Sequence, residues 1–181
     1  NAYILEGEWE ESKWETIVNK YADHITNWSQ RIVEKENWNA NWEQNYDPIV
    51  VNDKCIVKAK FHDIKETYPF EITINPKMSF GTGHHETTYQ ILSILMDIDC
   101  EDQIVMDAGC GTGVLAIMAS MRGAKKVEAF DVDDWCIDNS QENFDLNNCS
   151  NCNVRLGTIR ELSFSDTFQT VIANINKNVL L

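Results

Sequence analysis
The chain has 181 residues, 43% of them hydrophobic and 24% charged, which suffices for one sizeable core or a complete domain plus part of another and is not the composition of a disordered segment. Its formal net charge of −14 excludes a general nucleic-acid binder, which needs a basic face to displace counterions, and suits solubility or a basic partner. No apolar run approaches the roughly twenty residues of a membrane span and no secretory signal opens the chain, so a soluble cytoplasmic protein is expected.

From the start, residues 2–5 suit a strand, residues 9–21 carry Trp14, Ile17, Val18 and Tyr21 at helical spacing, and residues 27–35 suit a second strand. Residues 1–42 therefore read as part of a small α+β domain. The acidic residues among Trp9, Trp14, Trp28, Trp38 and Trp42 favour packing and interface roles over a stacking surface for bases. Residues 43–54 read as a connection to a second domain over residues 55–181. Within it, residues 55–61 and 70–74 alternate as two strands with a turn near residues 63–68.

After Asn75-Pro76 comes Phe80-Gly-Thr-Gly83-His-His-Glu-Thr-Thr88, running into a helix with Ile91, Leu92, Ile94 and Leu95. His84 and His85 beside Glu86 lack the i, i+4 spacing that puts two ligands on one helix face, so no metal site is expected. A loop closing over a ligand is the preferred reading, with a helix capped by threonine as the simpler one.

The chain is organised around residues 103–133. An apolar strand ends in Asp107, and Gly109-Cys-Gly111-Thr-Gly113 follows, lacking Cβ at alternate positions so that the backbone turns tightly and a ligand can approach it. Leu115, Ile117, Met118 and Met121 suit a helix on a sheet, stopped by Gly123. Residues 126–130 form a second strand that delivers Asp131 about twenty residues after the turn, where an acid accepts from ribose hydroxyls. A dinucleotide turn wants its third glycine where Val114 stands, and no Gly-Lys-Ser/Thr is present to cradle phosphate. Thr170–Ala173 is a buried-type strand with Asn174 at its end, an amide able to orient an amine without taking charge, or merely a strand-ending turn residue. Of the six cysteines only Cys149-Ser-Asn-Cys152 has metal or redox spacing, and with no second pair nearby reduced thiols are expected.

Together, Phe-Gly-Thr-Gly-His-His-Glu-Thr-Thr at 80–88, Asp-Ala-Gly-Cys-Gly-Thr-Gly at 107–113, Asp131-Val-Asp133 and Ala-Asn-Ile at 173–175 resemble the bacterial ribosomal protein methyltransferases of the PrmA type. The resemblance covers nearly the whole chain, including Trp-Asn-Ala-Asn-Trp at 38–42. It implies an α/β fold, a Rossmann-like class I methyltransferase sheet incomplete at its C-terminus, preceded by part of a ferredoxin-like substrate-binding domain. It also implies methyl transfer from S-adenosylmethionine to lysine side chains and the N-terminal amine of the ribosomal stalk protein L11, by a monomer with no direct nucleic-acid partner. Phe80, Gly81, Thr82, Gly83, Asp107, Gly109, Gly111, Gly113, Asp131 and Asn174 would bind the cofactor, with Thr82 and Asn174 catalytic.

The family's loop more often reads Gly-Thr-Gly-Thr-His-Pro-Thr-Thr, so His84 and Glu86 depart from it, and Ala-Asn-Ile lacks the prolines of the Asn-Pro-Pro-Tyr motif. A class I methyltransferase for another protein or a small amine, and an NAD-binding or non-catalytic module, stay open. Both ends read as cut, so the strand at residues 170–174 is expected to pair on one side only and the fragment to be inactive.

Overall fold
The computed structural model describes residues 9–25, 27, 29, 46–77 and 81–176, and the chain divides into two compact units, Asn1–Trp42 and Glu43–Leu181. In the first unit, residues 9–21 contain helix α1 (Glu11–Lys20), with the Trp9 and Trp14 rings tilted against each other at 6.0 Å. Its exposed Lys13–Glu10 pair contributes little to stability. The strand expected at residues 2–5 lies outside the described residues, as do most of the one at 27–35 and Trp28, Trp38 and Trp42.

The second unit holds two sheets. In the first, β1 (Ile49–Val51) runs antiparallel to β2 (Cys55–Ala59), and Asn52 and Asp53 make the hairpin turn with φ of +49° and +55°. Within the stretch read as a connection, Ile49-Val-Val51 is β-branched, buries Val51 completely and belongs to the sheet. β3 (Phe70–Ile74) pairs with β2 in parallel, Cys55 opposite Phe70 and Ala59 opposite Ile74. Residues 60–69 therefore carry the chain back to its starting end, a crossover instead of the reversal a tight turn would make.

The second sheet is wholly parallel, in the order β6-β5-β4-β7, from β4 (Ile104–Ala108), β5 (Lys126–Asp131), β6 (Cys152–Leu156) and β7 (Thr170–Ala173). Helix α2 (Glu86–Leu95) precedes it, α3 (Val114–Met121) links β4 to β5, and α4 (Asp134–Leu146) links β5 to β6. This is the α/β architecture with a parallel sheet that the motifs implied. From Val114 to Ala119 every residue of α3 is buried, as befits a helix packed against α2, α4 and both sheets.

One core runs from Val51 and Ile72 through Leu92, Ile117 and Val127 to Ile172. The alternate residues Met106, Ala108 and Phe130 face the other side of the sheet, against Leu162, Phe164 and Phe168. Among the described residues β7 pairs with β4 alone, and Val171 is 59% exposed, so the one-sided pairing expected of this strand is what the structure has. Also among them, no helix is long and apolar enough to cross a membrane.

Strands β5 and β6 lie on one side of β4 and β7 on the other. The order reverses between β4 and β7, and in open parallel sheets ligands bind beyond the carboxyl ends of strands at such a switch point. Gly109 follows β4 there, and Asn174 follows β7.

Candidate active site
The glycine turn is tied to the end of β5 by its own amides. Gly109 and Cys110 both donate to the Phe130 carbonyl, at 2.8 and 3.1 Å, and Gly113 donates to the Cys110 carbonyl at 2.8 Å. The Gly111 amide donates to Oδ2 of Asp131 at 2.9 Å, while Oδ1 of that carboxylate accepts from the Asp133 amide at 3.2 Å. Gly109, Gly111 and Gly113 have φ of +74°, +56° and +77°, in the left-handed region that penalises a side chain.

Two of these glycines are also crowded by the chain itself. A Cβ on Gly109 would collide with Cγ2 of Ile175, and one on Gly113 would stand 2.7 Å from Cε1 of Phe144. Their missing side chains serve packing as well as any ligand, a demand that local spacing does not reveal.

Asp107 lies beneath the turn, 1% exposed. Its Oδ2 accepts from the Ala116 amide in the first turn of α3 at 3.1 Å, and its buried Oδ1 has no partner among the described residues. Burial pushes its pKa up to about 7; the Ala116 amide opposes the rise and the nearby Asp131 charge adds to it.

The loop after β3 meets the turn. Thr112 donates its hydroxyl to the Gly81 carbonyl at 2.6 Å, and Gly83 packs on Ile49. Thr82 Oγ1 and His84 Nδ1 share a hydrogen bond at 3.1 Å, and the Tyr46 ring lies 4.8 Å from the His84 ring. Phe80 lies outside the described residues. The α2 N-cap is His85, whose Nδ1 accepts from the Thr87 amide at 3.3 Å, so the simpler reading of this stretch as a threonine cap is not what the structure has. At the end of β7, Asn174 donates from Nδ2 to Oγ1 of the fully buried Thr88 at 3.1 Å, so α2 positions this amide. Among the described residues no cluster of histidine, cysteine and acidic side chains gathers to hold a metal.

The supports that sequence reasoning missed lie on α4. Asn139, Ser140 and Asn143 are all buried on one face of this helix. Ser140 donates to the Gly111 carbonyl at 2.8 Å, and Asn143 donates to the Thr112 carbonyl at 2.8 Å while accepting from the Asn75 amide at 2.7 Å. Asn139 donates to the Asn75 carbonyl at 2.9 Å, so α4 fastens the glycine turn and the exit of β3 together. Polar residues at i, i+1 and i+4 are the signal, legible only once the inward face of the helix is known.

The comparisons agree along nearly the full chain. The family model described as ribosomal protein L11 methyltransferase (PrmA) matches residues 2–181. A ribosomal protein L11 methyltransferase of Phocaeicola vulgatus is 44% identical over 183 residues, covering 99% of this chain and 65% of that protein. One of Porphyromonas gingivalis is 48% identical over 155 residues, covering 85% and 53%. The chain thus spans less than two thirds of the length of these curated relatives. The crystal structure of a ribosomal protein L11 methylase from Lactobacillus delbrueckii subsp. bulgaricus superposes with a TM-score of 0.67 at 26% identity, covering 75% of this chain and 69% of that one. On a match that runs from residue 2 to residue 181, the chain belongs to the ribosomal protein L11 methyltransferase (PrmA) family.

Proposed function
We propose that this chain carries the S-adenosylmethionine site of a protein N-methyltransferase that methylates lysine side chains and the N-terminal amine of ribosomal protein L11. The observation that carries the reading is the electrostatic character of the glycine turn. The amides of Gly109, Cys110, Gly111 and Gly113 are all consumed by intrachain acceptors, so they do not form the phosphate cradle a dinucleotide requires. Asp131 beside the turn and Oδ1 of Asp107 beneath it, unpartnered among the described residues, favour a donor-rich ligand over a diphosphate.

S-adenosylmethionine supplies a methyl group activated by a sulfonium. Gly109, Gly111 and Gly113 would line its path, Asp131 would bring negative charge to it and offer its remaining lone pairs to the ribose hydroxyls, and Asp107 would support the turn from beneath. The loop of Gly81, Thr82 and Gly83 would cover cofactor and acceptor nitrogen and exclude water. With Nδ2 of Asn174 engaged by Thr88, its carbonyl oxygen is the acceptor an incoming amine N–H meets. Orienting the amine lone pair along the methyl–sulfur axis is then the main work of the residues, since alignment lowers the barrier of a displacement at an already activated carbon.

The strongly negative chain suits a basic, lysine-bearing substrate. We place the enzyme in the cytoplasm as a monomer, acting on the protein and not on nucleic acid. Calorimetry with S-adenosylmethionine and with NAD tests the cofactor, and binding of NAD alone would overturn the reading. Labelled methyl transfer to purified L11 by an enzyme of the relatives' length, with mass mapping of the modified amines, tests the substrate. Transfer to small amines with L11 untouched would favour a different class I methyltransferase.

A further inference from the structure
The Cys149-Ser-Asn-Cys152 segment lies where α4 ends and β6 begins, at the opposite end of the strands from the glycine turn. The Cys152 amide donates to the Cys149 carbonyl at 3.1 Å, closing a β-turn, which holds the two Cα atoms within the span a disulfide requires. Both thiols are anchored to nearby carbonyls: Sγ of Cys152 donates to the Ala116 carbonyl at 3.8 Å and Sγ of Cys149 to the Asn147 carbonyl at 3.7 Å. Ser120 of α3 donates to Oδ1 of Asn151 at 2.7 Å, and Asn151 donates to the Ala124 carbonyl at 2.6 Å, so the turn is held from beneath in one conformation.

This pair differs from the other thiols. Burial raises the pKa of Cys55 to about 12 and pushes those of Cys100 and Cys110 up as well, which keeps them in the unreactive protonated form. The neighbouring Cys152 thiol instead lowers the pKa of Cys149, although Cys149 is only 6% exposed, and Cys152 beside it is partly open to solvent.

We propose that Cys149 and Cys152 are a covalent oxidation site that closes reversibly to an intrachain disulfide with hydrogen peroxide as oxidant. The Cys149 thiolate attacks one peroxide oxygen and displaces hydroxide, leaving a sulfenic acid. The Cys152 sulfur then attacks the Cys149 sulfur, the hydroxyl leaves, and the Cys152 proton goes with it as water. Two thiols and one hydrogen peroxide become one disulfide and two waters, and a dithiol reductant reverses the change.

The test treats the folded chain with hydrogen peroxide, blocks remaining thiols by alkylation, and maps the products by mass spectrometry with circular dichroism alongside. The expected result is the loss of two of the six thiols, a peptide spanning Cys149 and Cys152 lighter by two hydrogen atoms, an unchanged dichroism spectrum and full recovery on reduction. Cys149→Ser and Cys152→Ser should each abolish the lighter peptide. Oxidation that falls first on another cysteine, that stops at sulfinic acid without a disulfide, that unfolds the chain, or that leaves the thiol count unchanged would overturn the proposal.

Discussion

Oδ2 of Asp131 accepts the amide proton of Gly111 at 2.9 Å, joining the end of β5 to the turn that follows β4. The carboxylate proposed to bind ribose is therefore also a strut of the turn, and removing it should affect binding and stability together. Asp131→Ala is expected to weaken S-adenosylmethionine binding and to lower unfolding free energy, each by roughly 1–3 kcal/mol. Asp131→Asn, which keeps an acceptor oxygen, should restore part of both. Calorimetry and urea denaturation read the two effects separately, and an unchanged dissociation constant for Asp131→Ala would put the ribose elsewhere.

Gly113 should tolerate no side chain. Gly113→Ala combines a left-handed φ of +77° with a contact of 2.7 Å to the Phe144 ring, and should cost about 2–4 kcal/mol of stability. Phe144→Leu in that background should return part of the loss although it is destabilising alone. A double-mutant cycle by chemical denaturation showing simple additivity would mean that the ring is not the obstacle.

Asp107 makes stability depend on pH in an unusual direction. Its folded pKa of about 7 lies above its ordinary value of 3.8, so between these pH values the folded state binds more protons than the unfolded state. Its contribution is most favourable below the unfolded value and is lost as pH rises through about 7. From pH 6 to pH 8 the loss is about 1 kcal/mol. Asp107→Asn should remove this slope, and parallel pH profiles for the two proteins would contradict it.

Thr88 holds Asn174, the residue proposed to orient the acceptor amine. Thr88→Val keeps the shape and removes the hydroxyl that accepts from Asn174 Nδ2, so methyl transfer to L11 should fall roughly tenfold in kcat with cofactor affinity little changed. Thr88→Ser should restore the rate. A change confined to cofactor binding would move Asn174 to the cofactor end of the site.

Local pattern alone determined the strand–turn–helix–strand run from β4 to β5, with Asp131 at its end and Asn174 after a charge-free strand. Those features repeat over a few residues, because the period of apolar side chains and the backbone freedom of glycine are properties of short windows. Only the tertiary structure decided that β3 runs parallel to β2, that Ile49–Val51 is a strand, and that Ile175 and Phe144 crowd Gly109 and Gly113. It likewise decided that Asp107 is buried with one oxygen unpartnered among the described residues, and that Asn143 and Thr88 hold the turn and the strand end. The physical reason is separation along the chain: Asn75 meets Asn143 and Thr88 meets Asn174 only after the sheet and its helices have packed, and a buried amide or hydroxyl acquires its role from partners that no local spacing names.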